Sequence, residues 1–186
     1  MASEKRTRSA APGKMASEQV VSDVAAYTDL LTGAWKREYF ELQLARAVAT
    51  AQRLRQSLSL VMVDVDQLQE HNDVHGPMQL DDSIGWLAMK ISEVIDGRGP
   101  IGRLGGGSFA VYLPTFGETR ALQLAQSLRR AVASTSHSSS LGEYQLTISV
   151  GVATLRRGEP WGNLIEAAER ACLKAKQGGR DTVVSR

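Results

Sequence analysis

The chain has 186 residues, 42% of them hydrophobic and 23% charged, with a formal net charge of +2. That is enough for one globular domain with a real core, and the mild basicity has no clustered stripe of the kind that nucleic-acid binding needs. One cysteine, Cys172, excludes an internal disulfide. No apolar run approaches the ~18 residues of a membrane span, and no apolar signal core follows the basic residues Lys5, Arg6, Arg8 and Lys14. A cytoplasmic protein with no membrane span and no nucleic-acid partner is expected.

Residues 1–16 are rich in Ala, Ser, Lys and Arg and read as a disordered basic tail, solvated rather than dedicated to a polyanion. Residues 17–28 suggest a short helix. Val20, Val24, Tyr27 and Leu31 form a seam of about one heptad, compatible with packing on the same domain or with a homodimer contact. A turn at Asp29-Leu30-Leu31-Thr32-Gly33 precedes a helix from about Ala34 to Gln56, with Phe40, Leu44, Val48, Ala51 and Leu54 at core-facing spacing. The Val-rich run Leu58 to Val65 is a buried strand, with Asp64 and Asp66 at its C-terminal end. A helix from about Met78 to Asp96 follows. The apolar runs Ile101–Leu104 and Ser108–Leu113 then flank Gly105-Gly106-Gly107 as a β-hairpin. Residues 118–133 form an amphipathic helix and Ser134–Ser140 a polar loop. Tyr144–Ala153 alternates as a strand, Pro160 opens a last helix to about Lys176, and Thr182–Val184 closes as a strand. Helices on a mixed, largely antiparallel sheet of about five strands give an α+β class.

Several motifs occur in order at consistent spacing. They are Asp29-Leu30-Leu31-Thr32-Gly33, Val63-Asp64-Val65-Asp66, Asn72-Asp73 followed by Gly76, Ile148-Ser149-Val150-Gly151-Val152-Ala153, and Ala175-Lys176-Gln177-Gly178-Gly179-Arg180. Over residues 29–186 the chain resembles the GGDEF domain of diguanylate cyclases. The resemblance implies a palm-like nucleotide-cyclase fold and bacterial cyclic di-GMP signalling. In that family two domains each hold a GTP, and two magnesium ions placed by carboxylates neutralise the charge of phosphoryl transfer.

The same resemblance marks what is missing. The signature Gly-Gly-(Asp/Glu)-Glu-Phe is written Gly105-Gly106-Gly107-Ser108-Phe109, so both acids are gone. Asp64 matches the remaining metal-binding aspartate, although an acid ending a strand is often merely solvated. Asn72 and Asp81 match the residues that read the guanine edge. Lys176 and Arg180 match phosphate-binding residues, or complement a helix dipole from one helix-end face. The family's Phe-Lys is Leu68-Gln69, its Gly-His is Gly76-Pro77 and its Gly-Asp is Leu80-Asp81. The inhibitory R-x-x-D stretch is Asp96-Gly97-Arg98-Gly99, so cyclic di-GMP binding there is not expected. The expected function is a non-catalytic regulatory module that binds a protein partner, with GTP and magnesium as candidate ligands. The alternatives are a weak or altered cyclase using Asp66 or Ser108 for metal, and a dimerisation module. His71 and His75 share helical spacing without a third metal ligand. Cys172 falls on the apolar side of the last helix and reads as core.

Overall fold

The computed structural model describes residues 26–139 and 142–186. The expected tail and most of the helix at 17–28 therefore lie outside the described residues. So do Val20 and Val24 of the seam, and the side chains of His71 and His75.

The chain begins with a two-residue strand β1 (Trp35–Lys36) and helix α1 (Arg37–Leu54), and then enters β2 (Leu58–Val65). Two helices follow, α2 (Leu68–His75) and α3 (Pro77–Ile95), and then the hairpin β3 (Ile101–Gly105) and β4 (Ser108–Pro114). Helix α4 (Glu118–Ala133), a small ribbon β5 (His137–Ser139) and β6 (Gly142–Tyr144), strand β7 (Ile148–Thr154), helix α5 (Trp161–Gln177) and β8 (Val183–Ser185) complete it.

The main sheet has six strands in the order β1-β3-β4-β2-β7-β8. Its four inner strands pair antiparallel, while β1 and β8 pair parallel at the edges. The α+β class with a mixed, largely antiparallel sheet flanked by helices is therefore the observed one, with one more strand than anticipated. The extra strand, β1, is too short for hydrophobic alternation to reveal. Two expectations are corrected. The first helix starts at Arg37 because Trp35 and Lys36 pair with Gly102 and Arg103. The loop at 134–140 and the start of the 144–153 strand instead contain the β5–β6 ribbon, which pairs His137 with Tyr144. Short polar strands carry no alternation signal.

Strand β2 is covered on both faces, which explains its unbroken apolar run. Val61, Val63 and Val65 face α3 and α4, joining Ile84, Leu87, Ile91, Leu128 and Val150 in one core. Leu58, Leu60 and Met62 face α1 and α5, joining Phe40, Leu44, Val48, Leu164 and Cys172 in another. Asp64 has the parity of the second set, so the strand period aims its carboxylate toward α5.

Close backbone approach fixes two glycines. A Cβ on Gly151 of β7 would sit 2.2 Å from the Ala168 carbonyl oxygen and 2.3 Å from the Cys172 nitrogen of α5. A Cβ on Gly102 would lie 2.4 Å from the Phe40 ring. Both absences let helices lie directly on the sheet.

Candidate functional site

Gly105, Gly106 and Gly107 form the tip of the β3–β4 hairpin. Gly105 and Gly106 take φ values of +129° and +53°, which glycine adopts without steric cost. Arg103 donates from Nε and Nη2 to the Gly106 carbonyl at 3.2 and 3.1 Å, and from Nη1 to both oxygens of Asp29 at 3.0 Å. Asp29 also accepts from the amide and hydroxyl of Thr32. The opening D-x-L-T-G turn is thereby tied to the signature turn through one arginine. Burial pushes the Asp29 carboxyl up, but the bonds from Thr32 and Arg103 together outweigh it and hold it below its ordinary value.

Strand register sets the centre of the site. Asp64 of β2 stands directly opposite Ser108 of β4 and Ser149 of β7. Ser108 Oγ donates to Asp64 Oδ2 at 2.5 Å, and Lys176 Nζ from α5 donates to Asp64 Oδ1 at 2.5 Å. Both oxygens of this carboxylate are thus engaged, one of them by a full positive charge. Asp66 is buried and more fully satisfied: Ser149 Oγ donates to Oδ1 at 2.6 Å, while Thr147 Oγ1 and the Asp181 amide donate to Oδ2 at 2.8 and 3.0 Å. It pins β7 and the segment after α5 to the end of β2. A cavity of about 250 Å³ opens beside Asp64, lined by Arg37, Ser108, Glu169, Cys172 and Lys176. Cys172 is buried as expected, and its thiol donates to the Ser149 carbonyl. Burial first, and then the neighbouring Asp64 charge, push it up to about 12, so it stays a neutral thiol.

Gly107 leaves little room for a side chain at the hairpin tip. A Cβ there would meet Leu68 Cδ2 and Val65 Cγ2 at 3.0 Å each. Leu68 and Leu80, both departures from the family pattern, pack against the α3–α4 core. Asn72 lies half-buried on α2, and Asp81 lies exposed on α3, just past its first turn. Gly76, with φ +82°, joins the two helices. Neither side chain makes a hydrogen bond among the described residues, so both remain available to a ligand. Gln79 was not anticipated: it is 2% exposed and its Oε1 has no hydrogen-bond partner. Only a polar residue at a position flanked by apolar neighbours hints at it in the sequence.

Lys176 and Arg180 do not share a helix face. Helix α5 ends at Gln177, and Arg180 sits beyond it in a left-handed turn at φ +65°. The Gly178-Gly179 stop outweighs the four-residue spacing. Arg98 donates to the Val94 carbonyl and pairs with Asp96 at 3.4 Å on an exposed surface. Among the described residues, no three His, Cys, Asp or Glu side chains form a group that could hold a metal ion. No helix among them is long and apolar enough to cross a membrane.

Comparison with known proteins agrees with this geometry. Residues 26–182 match the family described as diguanylate cyclase, GGDEF domain. The uncharacterized protein YhcK of Bacillus subtilis is 30% identical over 162 residues, covering 85% of this chain and 45% of that protein. Diguanylate cyclase DosC of Escherichia coli is 28% identical over 156 residues, covering 83% of this chain and 34% of DosC. The chain thus spans less than half the length of these curated relatives. The coiled coil and GGDEF domain of DgcB from Caulobacter crescentus, solved with c-di-GMP, superposes with a TM-score of 0.88 at 26% identity, covering 94% of this chain and 93% of that one. Diguanylate cyclase SiaD of Pseudomonas aeruginosa, solved with its activator SiaC, superposes at 0.84 with 28% identity, covering 94% and 67%. The chain therefore belongs to the GGDEF-domain family of the diguanylate cyclases.

Proposed function

We propose that this domain is a non-catalytic GGDEF module of bacterial cyclic di-GMP signalling, which binds a protein partner and holds a guanine nucleotide without turning it over. The observation that carries this reading is the state of Asp64, whose two oxygens are spanned by Lys176 and Ser108. The Lys176 ammonium group neutralises the carboxylate that a metal cation would need. Asp66 offers no substitute, because three donors already satisfy it. The donors present do not fit a pair of magnesium ions. Breaking the Lys176–Asp64 pair and supplying a second carboxylate would both be needed, and neither Gly107 nor Ser108 can supply one.

Asn72 and Asp81 remain positioned at the two helices that meet at Gly76, where an amide and a carboxylate can satisfy the donors and acceptors of guanine. This supports GTP binding without a catalytic metal. That SiaD was solved with an activator protein supports a partner-binding role for the fold. Incubating the chain with GTP and magnesium and resolving the products by chromatography is the decisive test. No cyclic dinucleotide is expected. Its formation at a rate above buffer alone would establish the altered-cyclase alternative. In a GTP titration followed by amide chemical shifts, Asn72→Ala with Asp81→Ala should abolish the shifts around the α2–α3 junction, and shifts that persist there undiminished would remove the guanine site.

A further inference from the structure

At the far end of β2 from Asp64, a hollow of about 380 Å³ lies between the C-terminus of α1 and the loop joining β7 to α5. Six residues of extended strand separate Leu58 from Asp64, roughly 20 Å, so this hollow is separate from the site above. Arg55, Arg156 and Arg157 line it, together with Gln52, Gln56 and Ser57, and no carboxylate does. The acid next in the chain, Glu159, is already neutralised: Arg186 donates to it from both Nη1 and Nη2 and holds its pKa below the ordinary value. The guanidinium groups of Arg55 and Arg157 form no ion pair within the described residues. Glu159, which accepts from the Arg156 amide, offsets the charge of Arg156, while Arg55 and Arg157 present two cations on the same cavity wall that would both attract an anion seated there.

The backbone agrees. Arg55 sits at φ +53°, immediately after α1, where glycine or asparagine is the low-strain choice. Across the shared wall of Gln56 and Ser57, a second hollow of about 290 Å³ carries Arg46 and Thr115. Thr115 is a β-branched residue at φ +63°, an uncommon conformation that costs energy unless its surroundings enforce it.

We propose that this hollow is a binding site for a small phosphorylated ligand of about mononucleotide size. Its volume falls within the range of small-ligand pockets. Guanidinium forks match phosphate oxygens bidentately, and Gln56 and Ser57 add neutral donors for the body of the ligand.

The test is a titration of the whole chain with inorganic pyrophosphate and, separately, 5′-GMP, in EDTA, followed by amide chemical shifts. Shifts are expected at residues 55–58 and 155–158. Arg55→Gln and Arg157→Gln should each weaken binding by about tenfold, as expected for loss of a charge-assisted hydrogen bond. The corresponding lysine variants should recover part of the loss. Asn72→Ala with Asp81→Ala should leave binding here unchanged. Tighter binding of 5′-GMP than of pyrophosphate would identify a nucleotide as the ligand, and the reverse a simpler phosphate. All four arginine variants alter exposed side chains, and an unchanged melting temperature confirms folding. The proposal is overturned if neither probe shifts these amides up to about 10 mM, an affinity weaker than metabolite binding requires. It is equally overturned if the shifts persist undiminished in the double glutamine variant.

Discussion

Asp64 is held by Ser108, a residue that replaces an acid of the family signature, and by Lys176, a residue the family aims at phosphate. Writing the signature back is therefore not enough to rebuild the site. Gly107→Asp with Ser108→Glu would bring one carboxylate, at position 108, next to Asp64 and start the other beside Leu68 and Val65, and Lys176 would remain on Asp64. The new Cβ at position 107 would press on Leu68 and Val65 at 3.0 Å. Such overpacking costs about 1–2 kcal/mol. The double variant should melt at a lower temperature than the parent and still make no cyclic dinucleotide from GTP and magnesium. Product formation by it would mean that the two lost acids alone account for the difference from the family. The paired acids at the end of β2 were visible in the sequence, but their division of labour was not. Asp66 is structural because Ser149 and Thr147 reach it, residues more than eighty positions away in the chain.

Strand β7 and helix α5 lie backbone against backbone, and Gly151 is what permits it. Alanine there would place a methyl group against two backbone atoms of α5, which cannot yield as a side chain can. Gly151→Ala should destabilise the domain by about 3 kcal/mol, read from urea denaturation with an unchanged m-value. An effect within experimental error would mean that the helix sits farther from the sheet. The long helices were legible, but α2 (Leu68–His75) was not, because eight residues are too few to show an apolar stripe. Those at 118–133 and 161–177 carry buried stripes at helical spacing, such as Ala121, Ala125, Leu128 and Val132. The short elements were not. β1, β5 and β6 are two or three residues long, and only pairing across the sheet defines them.

Across the whole molecule, two ion-pair clamps hold the ends of the described chain. Asp29 with Arg103 ties the opening turn to the hairpin, and Glu159 with Arg186 ties the segment after β8 to the β7–α5 loop. Both carboxyls have folded-state pKa values below their ordinary values of 3.8 and 4.5. Their contribution is therefore present above those values and is lost as the pH falls through the lowered ones. Asp29→Asn should cost about 2 kcal/mol at neutral pH, as for hydrogen bonds to a charged group. The gap to the parent should shrink as the pH falls below about 4. Denaturation curves at several pH values check this, and a gap that stays constant would remove the electrostatic account.

The sequence by itself determined the family fold. Hydrophobic period, glycine placement and ordered motifs are local properties of the chain and survive without knowledge of contacts. Only the tertiary structure decided that Lys176 neutralises Asp64, that Arg180 leaves its helix, and that arginines from α1 and from the β7–α5 loop surround one hollow. Each of these depends on distances between residues far apart in the chain, and those distances are set by sheet register and helix packing.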